Sequence, residues 1–188
     1  MPCTLRRCVL AASVILAARL AAGQSFTTIE PDTGFDYAVV QDISADGVHI
    51  LVSLQNSSAG PPLRGYVLNR LTGARTEIAE PTGRDLNPIA INANGSVVVG
   101  TIGGGPLGRS DAFVWSAGTL QVIGGIPGGE INCATGVSLD GNVVCGITGT
   151  AMGDPYQQGW KWTGEDGFTP LNDIGDDILT FSTVENVS

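Results

Sequence analysis

The chain has 188 residues, which suits one domain at roughly 100 to 200 residues apiece and argues against two. Its 27 glycines and 14% charged residues fit short strands and tight turns rather than long helices. The net charge of −9 would repel a polyanion over most of the surface, so nucleic acid is excluded as a partner.

The N-terminus carries the pattern of an export signal over residues 1–23. Arg6 and Arg7 supply a positive head, Val9 to Ala18 an apolar run, and Ala21-Ala22-Gly23 the small residues that a signal peptidase inspects. The alternative is a membrane anchor. A spanning helix needs about 20 uninterrupted apolar residues, and this run is roughly half that. Residues 24–35 are read as a linker, and no stable membrane span is expected once the signal is removed.

From residue 36 onward one unit recurs about every 47 residues. Its first part ends in a turn: Asp46-Gly47, Asn94-Gly95 and Asp140-Gly141 align, each with Ser or Asn two positions before the Asp or Asn and followed by an apolar run such as Val97 to Gly100. Asp-Gly and Asn-Gly predict a two-residue hairpin with positive φ at both positions, because glycine has no Cβ to clash and Asp or Asn tolerates that region. For the third unit this register sets Ser138 opposite Val143 and Gly136 opposite Cys145.

An aromatic strand follows in each unit, containing Tyr66, then Phe113 with Trp115, then Trp160 with Trp162. A short closing strand comes last, at Arg75 to Ala79, Leu120 to Ile123 and Phe168 to Leu171. The run Val97-Val98-Val99 does not alternate, so both faces of its strand must be covered. Blades packed between neighbours achieve that without helices, whereas a sandwich would show cleaner alternation. The expected fold is therefore all-β, a β-propeller-like array with repeats 36–85, 86–130 and 131–177 and a partial fourth at 178–188, where Phe181 to Ser188 repeats the pattern of Asp36 to Ser44. Tyr66, Phe113 and Trp160 are assigned to packing between blades. A ring needs at least about four blades, so the remaining blades are expected outside this chain.

The segments Asp111-Ala112-Phe113-Val114-Trp115, Ser138-Leu139-Asp140-Gly141-Asn142-Val143-Val144 and Ile123-Gly124-Gly125-Ile126-Pro127-Gly128-Gly129 resemble the HAF-type extracellular repeat family, and the likeness extends over most of 36–188. The family's motif histidine is replaced by Arg64, Asp111 and Gln158 in the three units. What the resemblance implies is a secreted or surface-exposed bacterial protein on a propeller, with no catalytic residue to carry over.

Chemistry-bearing residues are sparse. His49, the only histidine, lies between Val48 and Ile50 and reads as a strand residue without a nucleophile to serve. No metal or cofactor motif is complete. Asp173, Asp176 and Asp177 cluster without calcium-loop spacing, and Gly103 to Gly108 lacks the lysine and helix of a phosphate loop. Glu30, Asp32 and Asp36 are the carboxylates that a glycosidase-like acid pair could draw on. Cys133 and Cys145 would form a disulfide in an oxidising compartment, yet the hairpin register sets them on opposite faces unless a bulge intervenes. The leading expectation is a secreted, non-catalytic scaffold that binds an extracellular glycan or cell-envelope component through its inter-strand loops. The alternative is a fragment of a secreted polysaccharide-active hydrolase or lyase.

Overall fold

The computed structural model describes residues 28–57, 62–80, 82–103, 109–150 and 158–171. The export segment 1–23, the acidic cluster at 173–177 and the partial fourth unit at 178–188 lie outside these residues. Among the described residues, twelve strands are arranged as three four-stranded antiparallel sheets. The first holds β1 (Tyr37–Ile43), β2 (His49–Gln55), β3 (Arg64–Asn69) and β4 (Arg75–Ile78). The second holds β5 (Asp85–Ile91), β6 (Val97–Gly103), β7 (Asp111–Ser116) and β8 (Thr119–Gly124). The third holds β9 (Ile131–Val137), β10 (Val143–Gly149), β11 (Gln158–Thr163) and β12 (Gly167–Pro170). Within each sheet the strands follow chain order, which makes three meandering blades. No helix occurs among the described residues.

The turns between first and second strands correct one expectation. Ser138 N donates to Val143 O, and Gly136 pairs with Cys145, so the register is the one read from the sequence. The loop is longer than two residues, however, and only the glycine has positive φ: Gly47 at 66°, Gly95 at 76° and Gly141 at 82°. The side chains explain why. Asp46 Oδ1 accepts from Val48 N at 2.8 Å, Asn94 Oδ1 from Ser96 N at 3.0 Å and Asp140 Oδ1 from Asn142 N at 3.0 Å. This closes a local ring in which the Asp or Asn keeps ordinary backbone angles. The two-residue turn with both φ positive occurs elsewhere, at Ala117 (51°) and Gly118 (79°), between the paired Ser116 and Thr119.

A second feature, a bulge in every blade, was not legible as a repeat element. The ladder between first and second strands skips one residue at Gln41, at Ile89 and at Thr135. An extra residue reverses which face the following side chains occupy. Ala134 and Val137, an odd number of positions apart, consequently enter one apolar cluster, and Leu86 and Ile91 do the same in the second blade.

The core lies in the seams between blades. Leu51, Val67 and Ile78 of the first blade meet Leu86, Ile91, Val98, Phe113 and Trp115 of the second. Val99 and Ala112 of the second meet Ala134, Val137, Val144 and Trp160 of the third. Val98 and Val99 are both fully buried, one in each seam, as the unalternating run required. Phe113, Trp115, Trp160 and Trp162 are seam residues, and Trp160 meets Phe168 edge-on at 4.9 Å. Tyr66 departs from the expectation. It packs with Val52 and Leu54 on the side of the first blade away from the second, where Ile29 and Phe35 cover it. The described part of the stretch read as a linker thus packs on the outer face of the first blade.

The disulfide is also corrected, because both thiols are free. The bulge at Thr135 does bring Cys133 to the face of Cys145, but opposite Ile147, one rung beyond. Such diagonal neighbours are about 7–8 Å apart, wider than the roughly 4.4–6.8 Å between Cα atoms of a disulfide. Burial pushes the Cys145 thiol up, keeping it protonated.

Candidate functional site

The polar residues of the repeat are consumed in holding it together. Ser44 Oγ accepts from His49 N at 2.9 Å and donates to Asp46 Oδ1, and Ser138 does the same for Val143 N and Asp140 Oδ1. In the second blade Asn92 replaces the serine, its Oδ1 accepting from Val97 N at 2.9 Å. All three are buried. The serine hydroxyl first, and then the N–H two residues on, hold the Asp46 and Asp140 carboxyls below the usual carboxylate range. These buried Ser and Asn residues were visible in the alignment as small polar residues before each turn. Their role needed the geometry.

The turns also join the blades. Asp46 N donates to Ala93 O at 3.0 Å, and Ala93 N donates to Leu139 O at 3.2 Å. Asp42 Oδ2 accepts from Ile91 N of the next blade at 2.9 Å while its Oδ1 accepts from Ile43 N. A Cβ on Gly95 would overlap the His49 ring, and one on Gly141 would lie 2.7 Å from Val97 Cγ2. His49 is accordingly a packing residue between two turns, its Nδ1 3.7 Å from Asp46 Oδ2 and its Nε2 3.5 Å from Asn69 Nδ2.

Three concavities stand out among the described residues. A groove of about 320 Å³ runs across all three first strands where the bulges lie, touching Asp42, Ile89, Ala90, Thr135 and Gly136, with Ile43, Ala45 and Leu139 also in its wall. Among the described residues, Asp42 is the only ionisable side chain lining it. A second concavity of about 350 Å³ lies over Tyr66 on the outer face of the first blade. A smaller one, about 170 Å³, sits where the first blade leads into the second, beside Glu80. Burial would push the Glu80 carboxyl up, but hydrogen bonds from the Thr82 hydroxyl and the Arg84 and Thr82 N–H groups, with the Arg84 charge, bring it below its ordinary value. That carboxylate is a loop organiser.

The other carboxylates noted from sequence do not converge. Asp32 pairs with Arg75 at 2.8 Å, and Asp36 accepts from both the backbone and the hydroxyl of Ser57. The Ser57 hydroxyl, then its N–H, lower the Asp36 carboxyl. No cluster of three or more metal-ligating residues occurs among the described residues. Of the loops expected to bind, residues 58–61, 104–108 and 151–157 lie outside the described set.

No family model and no curated protein matches the sequence. Solved structures do match. One is from a study of two prolyl endopeptidases and the role of inter-domain dynamics in their catalysis and specificity, with a TM-score of 0.59 at 14% identity, covering 82% of this chain and 25% of that one. Another is TolB from Acinetobacter baumannii, with a TM-score of 0.52 at 15% identity, covering 74% of this chain and 33% of that one. Both are propeller-type proteins. The chain folds as a propeller-type array of blades. It spans a quarter to a third of the length of these structures, and at such identity the likeness concerns the fold alone.

Proposed function

We propose that the chain is part of an extracellular, non-catalytic binding scaffold for glycan or other cell-envelope material. The observation that supports this most is the groove along the first strands. Its single ionisable lining residue, Asp42, already accepts backbone N–H groups with both oxygens, one of them from the neighbouring blade. A carboxylate so engaged is a poor general acid or base, since proton transfer would cost the joint between blades. The groove offers aliphatic walls and backbone polar groups, which suit holding a ligand rather than transforming one. The N-terminal charge and hydropathy pattern supports export.

The test is retention of the full chain on insoluble cell-envelope glycan, with polysaccharide turnover assayed in parallel. Retention without turnover is expected. Ala45→Trp and Leu139→Asp, which alter exposed positions in the groove wall, should reduce retention while leaving the melting temperature within a few degrees. Turnover of a polysaccharide would overturn the proposal in favour of a hydrolase or lyase, and lack of retention would remove it.

A further inference from the structure

The joint between first strands differs from one pair of blades to the next. The skipped residues Gln41, Ile89 and Thr135 make Asp42, Ala90 and Gly136 equivalent, and likewise Ile43, Ile91 and Val137. Between the first and second blades Asp42 is a bridge: its Oδ1 accepts from Ile43 N at 2.8 Å and its Oδ2 from Ile91 N at 2.9 Å. Between the second and third blades the bridging position is Ala90, which has no side-chain acceptor.

The donor that such a bridge would meet is nevertheless in place. Asn92 N donates to Val97 O, and Ser138 N to Val143 O. Hydrogen-bonded and non-hydrogen-bonded pairs alternate along an antiparallel ladder. Val137 opposite Val144, like Ile91 opposite Val98, therefore turns its N–H away from its partner strand. Both β5 and β9 are sheet edges, and Ile91 N is the edge donor that Asp42 takes. Val137 N is its counterpart, with alanine where the carboxylate would be. Ala90, Gly136 and Val137 all line the groove of about 320 Å³ along the first strands, so the place of the missing carboxylate falls within it.

A group that fills this place has to be flat, of carboxylate size, and able to present an acceptor oxygen to Val137 N. A second carboxylate is disfavoured, because Asp42 is the only ionisable side chain lining the groove among the described residues and the chain carries a charge of −9. The neutral group of the same shape is an amide. In a trans secondary amide the C=O and N–H point in opposite directions, which suits a groove with its donor on the third blade and its carboxylate on the first. Asp42 uses two of about four acceptor sites on the backbone, which leaves capacity for an amide N–H. Ile89 and Ala90 provide an aliphatic wall for a methyl group.

From this we infer that the groove recognises the acetamido group of an N-acetylated amino sugar, with its C=O accepting from Val137 N. The inference rests on the glycan-binding proposal and names the chemical class that the same groove selects. The side-chain amide of asparagine or glutamine in a protein partner is the competing occupant. It lacks the terminal methyl and would leave the aliphatic wall uncovered.

Titration of the full chain with N-acetylglucosamine and N-acetylgalactosamine, beside glucose, glucosamine, acetate and a short glutamine-containing peptide, reads this directly. Heteronuclear NMR of the Gly136, Val137 and Leu139 amides is the readout. At least one N-acetylated sugar should shift those signals at millimolar concentration and bind about tenfold tighter than glucose or glucosamine, the equivalent of one hydrogen bond. Ala90→Asp restores the missing bridge, so it should weaken sugar binding tenfold or more while leaving the melting temperature unchanged or higher. A merely structural alanine would give the opposite split, lower stability with unaltered binding. The inference is refuted if no N-acetylated sugar perturbs these amides, if glucose or glucosamine binds equally well, or if acetate or the peptide binds instead. It is refuted equally if Ala90→Asp binds like the parent or melts more than a few degrees lower. Where envelope retention survives such a result, the scaffold proposal stands and only the acetamido assignment falls. Where retention is also absent, both fall.

Discussion

The inward face of the first strand can be compared across blades. Ile43 in β1 is 54% exposed, whereas its counterparts Ile91 and Val137 are 7% and 6% exposed. Sequence, bulge and turn are nearly the same in all three, so the blade itself does not decide burial. What decides it is the neighbour: β5 packs against β1 to β3, and β9 against β5 to β7, while β1 has no such neighbour among the described residues. The turn glycines repeat the contrast. Gly47 has open space around its α-carbon, but Gly95 and Gly141 press on the preceding blade. A blade in this protein is thus half of a core, and the seam completes it.

The largest effect should come from filling a seam glycine. Gly146 sits between the Cys133 carbonyl and the Trp160 ring, and Gly100 between the backbone of Asn87 and Pro88 and the Phe113 ring. Gly146→Val should cost about 3 kcal/mol or more because backbone must move, although valine stands at the equivalent Val52 of the first blade. Equilibrium urea unfolding would show it, and a loss below 1 kcal/mol would mean the seam is looser than described.

Truncating the paired positions is the next test. Ile91→Ala should lose about 2–4 kcal/mol, as expected for a buried aliphatic side chain, and Ile43→Ala no more than about 0.5 kcal/mol. Equal losses would show that β1 is covered in solution. For the turns, Gly47→Ala should cost about 1–2 kcal/mol, the penalty of positive φ alone. Gly95→Ala and Gly141→Ala should cost more than that, since a methyl group also meets His49 or Val97. Thermal melts of the three variants side by side would rank them. Ala117, held at positive φ in its two-residue turn, offers a gain: Ala117→Gly should stabilise by about 0.5–1 kcal/mol.

Acid should separate the turns most gently. The native carboxyls of Asp46 and Asp140 titrate below their ordinary value. The stability they contribute is therefore present above about pH 4, is lost as pH falls through the depressed native values, and is absent below them. The second blade carries Asn94 at this position and contributes no such dependence. Asp46→Asn with Asp140→Asn should flatten the melting temperature between pH 5 and pH 2 compared with the parent; an unchanged profile would assign acid sensitivity to other groups such as Asp36 or Glu80.

Much of the blade could be read along the chain. The alignment of Asp46-Gly47, Asn94-Gly95 and Asp140-Gly141 located the hairpins, their register followed from counting back to Ser138 and Gly136, and the unalternating Val98 and Val99 implied cover on both faces. These features are local, set by turn chemistry and by the period of two along a strand. The candidate site was far less legible. Its groove runs along first strands that bulge, with the skipped Ile89 and Thr135 in its lining, and nothing in those side chains signals that a ladder will skip them. Its cavity over Tyr66 joins Asp32 to Arg75 and Phe35 to Leu54, residues separated by turns and whole strands.

By itself, then, the sequence determined a repeating all-β unit with marked turns and an aromatic strand, because each of those properties depends on neighbours a few residues away. Only the tertiary structure decided which face of each blade is buried, why Tyr66 differs from Phe113 and Trp160, and that Cys133 lies beside Ile147 rather than Cys145. Those outcomes depend on bulges and seams, where the packing of one blade on the next selects among local conformations of similar energy.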